Sequence, residues 1–241
     1  MENLVTILTE EKQAKVKGGL YHQTQINLSF NSNRIEGSKL SEEQTRYIFE
    51  TQSLCASSGE TLWVDDIVET VNHFRCFDYM LDSLAQPLSE PVIKTLHFLL
   101  KSSTMQSRLS WFNVGEYKQR ANKVGNRKTS TPKNVEKDMA LLLSRYNSLE
   151  HVNFDALTDF HFHFECIHPF QDGNGRVGRL ILFRECLRNG ITPTIIDAEH
   201  KMFYYRGLSE YPEIKGYLTD TLLSAQDNYR RTIREFFPEY K

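Results

Sequence analysis

The chain has 241 residues, 39% of them hydrophobic and 12% aromatic, and its 29 basic and 31 acidic side chains leave a formal charge of −2. That length can bury a core without disulfide or metal staples, and the near-cancelled charge excludes a polybasic nucleic-acid binder as the whole molecule. A mean hydropathy of −0.49, apolar runs no longer than those at 139–143 and 180–183, and a start without a basic then apolar leader point to a soluble cytoplasmic globule with no membrane partner. Cys55, Cys76, Cys166 and Cys186 are scattered and form no CxxC pair, so they are expected to be reduced, buried thiols.

Apolar spacings of three and four dominate over strand alternation along the chain. Ile26, Phe30, Asn33 and Arg34 fall on a helix of about residues 21–37 that ends at Gly37. Ser41 with Glu42, Glu43 and Gln44 behind it reads as a capped helix start. Ile67, Val68, Val71, Phe74, Tyr79 and Leu81 predict another helix, and Ser89-Glu90-Pro91 opens one with proline in its first turn. Over residues 115–133, Gly115, Gly125, Asn126, Thr129, Ser130, Thr131 and Pro132 break the periodicity, which suits a short hairpin or flap. Residues 135–146 restore it. Phe154, Leu157, Phe160, Phe164 and Ile167 then form one apolar stripe, and Val177, Leu180, Ile181, Phe183 and Leu187 a second. No repeat or linker divides the chain. The expectation is an all-α bundle with one β-hairpin, in which N-terminal helices (1–60) and a core (61–241) share a single globular unit. The last helical residues lie close to Lys241, which in this reading leaves no room for a large appended domain.

Between the two best stripes lies His168-Pro169-Phe170-Gln171-Asp172-Gly173-Asn174-Gly175-Arg176-Val177-Gly178-Arg179. Pro169 disfavours continuation of the first helix, which places His168 at its C-terminal end. Asp172-Gly-Asn-Gly has turn composition and starts the next helix. A helix N-terminus presents free N–H groups and positive potential, and glycines let a phosphate approach it. Arg176 and Arg179, three residues apart, add two guanidiniums to that face. Asp172 offers an oxygen to a phosphate-bridging Mg²⁺, and His168 is the nearby group able to take a proton near neutral pH. The plain alternative is an ordinary capped helix-loop-helix connection, against which the concurrence of these elements argues.

This segment resembles the signature of the Fic family at every fixed position, and the similarity covers about residues 25–225. The resemblance implies a Fic-type helical bundle and transfer of AMP from ATP to a Ser, Thr or Tyr hydroxyl of a protein target, the chain itself included. His168 would then be the general base and Asp172 the Mg²⁺ ligand, with Mn²⁺ as an alternative ion. Gly173, Asn174 and Gly175 would form the anion hole, Arg176 would grip the β-phosphate, and Arg179 would orient the γ-phosphate, with Gly178 in the same segment. Phe170 would anchor the loop in the core. The related Doc toxins, which transfer phosphate, carry a lysine-bearing loop in place of the two glycines; this chain keeps both glycines, which favours AMP transfer.

Ser32-Asn33-Arg34-Ile35-Glu36-Gly37 resembles the family's inhibitory motif. A Glu36 carboxylate paired bidentately with Arg179 would remove the γ-phosphate's partner and misplace the α-phosphate for attack; the plain alternative is a glycine-capped helix end. The resemblance also leaves open AMP removal as the cellular activity, and a nucleotide-sensing module held blocked by Glu36 is the non-enzymatic alternative. Val124 and Gly125 would face the nucleotide from the flap, and Tyr204-Tyr205 would pack around the adenosine or serve as core aromatics. Pro212 stands where many relatives have an adenine-contacting asparagine, so UMP, CMP or GMP transfer stays open. Lys118 stands where the family often has arginine. Residues 118–137 carry seven Lys or Arg against Glu136 alone; nucleic acid is the rival partner there, but without interleaved aromatics a solvated flap is preferred. His161, Glu165 and His168 share a helical face as a zinc site would, though that reading leaves both arginines unexplained. Homo-oligomerisation is left open.

Overall fold

The computed structural model describes residues 4–240 apart from Cys55, Ser57 and Asn126, with the backbone alone of Arg127. The thiol expected at Cys55 and the turn residue Asn126 therefore lie outside the described residues. The helices run in order α1 (Leu4–Ala14), α2 (Leu20–Ile35), α3 (Glu42–Thr51), α4 (Val64–Asp82), α5 (Glu90–Lys101), α6 (Val135–Asn147), α7 (Phe154–Ile167), α8 (Asn174–Arg188), α9 (Lys201–Glu210) and α10 (Gly216–Phe236). Strands β1 (Lys123–Val124) and β2 (Arg127–Lys128) pair antiparallel between α5 and α6. The expected all-α bundle with a short hairpin is the fold observed. Of the expected flap, four residues are strand.

Local chemistry accounts for several boundaries. Ser41 Oγ accepts the Gln44 N–H at 3.0 Å while Gln44 Oε1 accepts the Ser41 N–H at 2.9 Å, a complete capping box. Asn153 Oδ1 caps α7 by accepting the Ala156 N–H at 2.9 Å; such a cap stabilises a helix by about 1 kcal/mol. Pro91 lies in the first turn of α5, although the Ser89 side chain makes no cap hydrogen bond. On α4 the core stripe is shifted from the one expected: Phe74, Cys76, Phe77, Met80 and Leu81 are buried, whereas Ile67 and Val71 are half-buried against Leu40 and Ile48.

One hydrophobic cluster extends from Leu4 on α1 to Ile233 on α10. Helix α8 lies at its centre, against α2, α4, α5 and α7, and is buried on every side rather than along the single stripe expected. Even its charged pair is buried: Arg184 bonds Glu185, and its Nη2 donates to the Gln86 carbonyl at 2.7 Å. Buried charges persist only when so paired. Cys76 and Cys186 are buried free thiols as expected, whereas Cys166 is half-buried because it leaves the core face of α7.

Three core histidines make the fold sensitive to acid. His73, His97 and His161 have at most 1% of their surface exposed, and burial, with neighbouring Arg and Lys charges, pushes each down to about 3. Unfolded, each titrates near 6.5, so below that pH the unfolded chain binds more protons and stability falls towards pH 3. By pH 5 the loss is about 2 kcal/mol per histidine, about 6 kcal/mol together, against a typical domain stability of about 5–15 kcal/mol. Urea unfolding followed by circular dichroism is expected to give a markedly lower midpoint at pH 5.0 than at pH 7.5; equal midpoints would contradict the neutral buried imidazoles.

Candidate active site

The end of α7, the loop after it and the start of α8 form the floor of the site. His168 caps α7 in the left-handed region, with φ 52°, and its N–H donates to the Phe164 carbonyl at 2.9 Å. Its ring Nδ1 is buried and lies 3.8 Å from a Glu165 carboxylate oxygen. Burial, with the Lys118 ammonium, pushes the imidazole down to about 4. It is therefore neutral at pH 7, as a proton acceptor has to be.

Phe170 is fully buried and stacks on His97, with centroids 3.9 Å apart and planes 4° from parallel. It is the loop anchor expected from the sequence. His97 Nδ1 accepts the Gly115 N–H at 2.9 Å, which leaves Nε2–H to donate to the Asp172 carbonyl at 3.1 Å. The buried Asn174 side chain staples the loop shut: its Oδ1 accepts the Phe170 N–H at 2.7 Å and its Nδ2 donates to the Phe170 carbonyl at 2.9 Å. Asn174 can therefore offer an anion only its backbone.

Gly173 precedes α8 at φ +78°, a conformation that suits glycine. Gly175 leaves room for the Glu36 carboxylate: a Cβ there would fall 2.4 Å from Glu36 Oε1 and push that side chain aside. Gly178 instead faces α7, where a Cβ would meet Glu165 at 2.3 Å. Its close neighbours are thus side chains of α7, and it does not line the cavity described below. Arg179 is held by α2 through three hydrogen bonds: Nε to Ser32 Oγ at 3.0 Å, Nη2 to the Ser32 carbonyl at 2.9 Å, and Nη2 to Glu36 Oε1 at 2.8 Å. The Glu36 contact thus uses one carboxylate oxygen rather than the bidentate pair expected, because Ser32 engages the rest of that edge. Arg179 and Arg176 hold the Glu36 carboxyl below its usual range, outweighing the opposite effect of lost solvent. Glu36 ends α2 as its C-cap, and Gly37 follows at φ +106°.

A cavity of about 560 Å³ opens above this floor, lined by Glu36, Val124, Gly125, Glu165, His168, Gly175, Arg179, Tyr204, Tyr205, Leu208 and Ser209. That volume is in the range of small-molecule sites. The hairpin residues Val124 and Gly125 and the Tyr204-Tyr205 pair are thus brought to the histidine and Arg179. Tyr204 is both wall and core: it is 1% exposed, and its hydroxyl hydrogen-bonds His161 Nε2 at 2.8 Å. Tyr205 is half-buried. Arg176 and Asp172 lie beside this cavity rather than in its wall. Arg176 is turned to Glu69 on α4, and Asp172 Oδ2 accepts from Lys101 Nζ at 2.8 Å. Buried Arg176 Nε and Arg179 Nη1 make no hydrogen bond, which leaves donors suited to phosphate oxygens.

Among the described residues no group of three or more His, Cys, Asp or Glu is placed to hold a metal ion. This overturns the zinc alternative: His161 turns to Tyr204 instead of joining His168. A single half-exposed carboxylate, Asp172, does fit a Mg²⁺ that takes its other ligands from water and phosphates. Lys101 and Arg176 hold that carboxyl down at about 2, against the effect of burial.

Sequence reasoning missed four groups. Leu208 and Ser209 lie four residues beyond Tyr204 and Tyr205, so helical spacing carried the signal. Glu69 and Lys101 had none, being ordinary helical charges by sequence. Lys118, noted only for its departure from arginine, is 3% exposed. Its Nζ donates to the His168 carbonyl at 2.7 Å and to Thr129 Oγ1 at 2.8 Å, tying the histidine's backbone to the root of the hairpin.

Residues 87–185 match the model of the Fic/DOC family. The chain is 31% identical over 188 residues to the protein adenylyltransferase Fic of Drosophila grimshawi, over 74% of this chain and 36% of that protein. It is 30% identical over 188 residues to that of Drosophila mojavensis, over 74% and 35%. The chain thus spans about a third of the length of the curated relatives it matches. A Fic domain-containing signaling protein from Bacteroides thetaiotaomicron has the same fold, with a TM-score of 0.78 at 19% identity over 98% of this chain and 97% of that one. No described helix is long and apolar enough to cross a membrane.

Proposed function

Because the chain belongs to the Fic/DOC family, we propose that it is a protein adenylyltransferase that moves AMP from ATP to a Ser, Thr or Tyr hydroxyl of a target protein and of itself. The observation that carries this reading is the convergence of His168, Gly175, Arg179 and the Tyr204-Tyr205 pair on one cavity of nucleotide-compatible size. The target hydroxyl approaches His168, whose Nδ1 is buried against Glu165, so Nε2 takes the proton as the oxygen attacks the α-phosphorus. The α-phosphorus to bridging-oxygen bond breaks, and pyrophosphate leaves with its charge opposed by the α8 N-terminus, Arg176 and Arg179. Asp172 would hold a Mg²⁺ or Mn²⁺ ion, which would supply neutralisation of phosphate charge. Tyr204, Tyr205, Val124, Gly125, Leu208 and Ser209 enclose the nucleoside, and the hairpin aligns the target segment by strand addition. Lys118 fixes the backbone of the base. In this reading the N-terminal helices and the core act as one unit, and the brake they form consists of Ser32 and Glu36 on Arg179, with Gly37 ending the helix.

The test is label transfer with Mg²⁺ and either α-labelled or γ-labelled ATP. Label entering protein from the α-position alone supports AMP transfer. Label from the γ-position would make the protein a kinase, and bound ATP with no transfer, even after removal of Glu36, would make it a nucleotide-sensing module.

A further inference from the structure

The Asp172 carboxylate already has a cation on it. Lys101, the last residue of α5, is 1% exposed, and its ammonium lies 2.8 Å from Asp172 Oδ2. The same ammonium bonds one oxygen of Glu69, and the other Glu69 oxygen bonds Arg176 Nη1. Arg176 Nη2 closes the ring at 3.7 Å from Asp172 Oδ2. Two positive and two negative side chains from α4, α5, the loop and α8 thus form one neutral cycle behind the site. Lys101, Glu69 and Arg176 are largely buried, so losing one of them leaves its partner uncompensated, whereas Asp172 keeps a half-exposed edge.

This arrangement bears on the divalent cation assigned to Asp172 under the proposed function, and the inference rests on that reading. An ammonium on a carboxylate oxygen repels a second cation brought to the same carboxylate. Glu69 prevents Lys101 from swinging away, because its carboxylate holds both Lys101 and Arg176. We propose that Lys101, tethered by Glu69, is a resident cation at Asp172 that lowers the site's affinity for a free divalent ion and makes metal binding depend on the phosphates arriving with it. Lys101 and Glu69 are positioning residues here: they act on Asp172 and Arg176 and do not line the nucleotide cavity.

The test uses Mn²⁺ as probe, alone and with ADP, with the free ion counted by electron paramagnetic resonance. Lys101→Met is expected to tighten binding of Mn²⁺ alone by on the order of tenfold. Lys101→Arg, which keeps the charge, is expected to stay at the wild-type value, a rescue that loss of packing would not produce. Lys101→Gln, which removes the charge but keeps a polar side chain beside Glu69 and Asp172, is expected to tighten binding likewise and carries the test if Lys101→Met does not fold. Unchanged or weaker Mn²⁺ binding in Lys101→Met or, where that variant does not fold, in Lys101→Gln overturns the proposal. Asp172→Asn reports on the premise: loss of binding in every background supports it, whereas Mn²⁺ binding with ADP that survives Asp172→Asn overturns both the metal assignment and this inference.

Discussion

Glu36→Gly is expected to raise label transfer from α-labelled ATP by on the order of 10–100-fold, the value of one charge-assisted hydrogen bond. The reason lies in the surroundings of Arg179. This guanidinium is 4% exposed and is engaged by Ser32 and Glu36 along one edge. A γ-phosphate that takes Arg179 has to displace a carboxylate 2.8 Å from it. The same carboxylate lies over Gly175, at the helix start where phosphate oxygens would be received. Removing it takes the competing charge off Arg179, which Ser32 still holds, and clears the anion site together. Glycine adds no backbone strain, since Glu36 has an ordinary helical φ of −83°. Glu36→Gln keeps most of the shape but loses the charge, and is expected to fall between the two. Equal transfer by wild type and Glu36→Gly, at equal ATP occupancy, would sink the brake.

In the activated background, His168→Ala is expected to lower transfer by about 10²–10⁴-fold, the range of a positioned general base. ATP binding should change little, because the groups proposed to bind phosphate lie on α8 and its preceding loop. The imidazole is pushed down to about 4, so it keeps its accepting form well below neutral pH. Transfer by Glu36→Gly should accordingly hold its rate between pH 7.5 and pH 6, where an imidazole titrating near 6.5 would lose most of its free base. A fall centred on 6.5, or a His168→Ala variant as fast as its parent, would remove His168 from that role.

Both expectations join groups that the sequence marks with unequal clarity. His168, Asp172, Gly173 and Arg179 were legible because a helix end, a turn and a helix start are encoded within a few residues. Proline at 169, glycines at 173 and 175, and apolar stripes on both sides act through backbone sterics and local hydrogen bonds. The capping box at Ser41 was legible for the same reason. Glu36 was legible only through resemblance to a motif, since nothing local connects it to an arginine 143 positions away. The α4 stripe was displaced because periodicity marks an amphipathic helix without saying which neighbours cover it.

The sequence by itself determined the helical class, the hairpin interruption and the helix end, turn and helix start of residues 168–179, because those follow from spacing, chain stiffness and side-chain type. The tertiary structure decided which of these groups face one another. Packing of α8 among α2, α4, α5 and α7 turns Gly178 to α7, Arg176 to Glu69, and Lys101 to Asp172. It also buries Lys118 beneath the histidine's carbonyl. Written in sequence, Glu69, Lys101 and Lys118 are charges on helices and loops that water would ordinarily solvate. Burial withdraws that water, and a charge in the core must then find a partner across the fold.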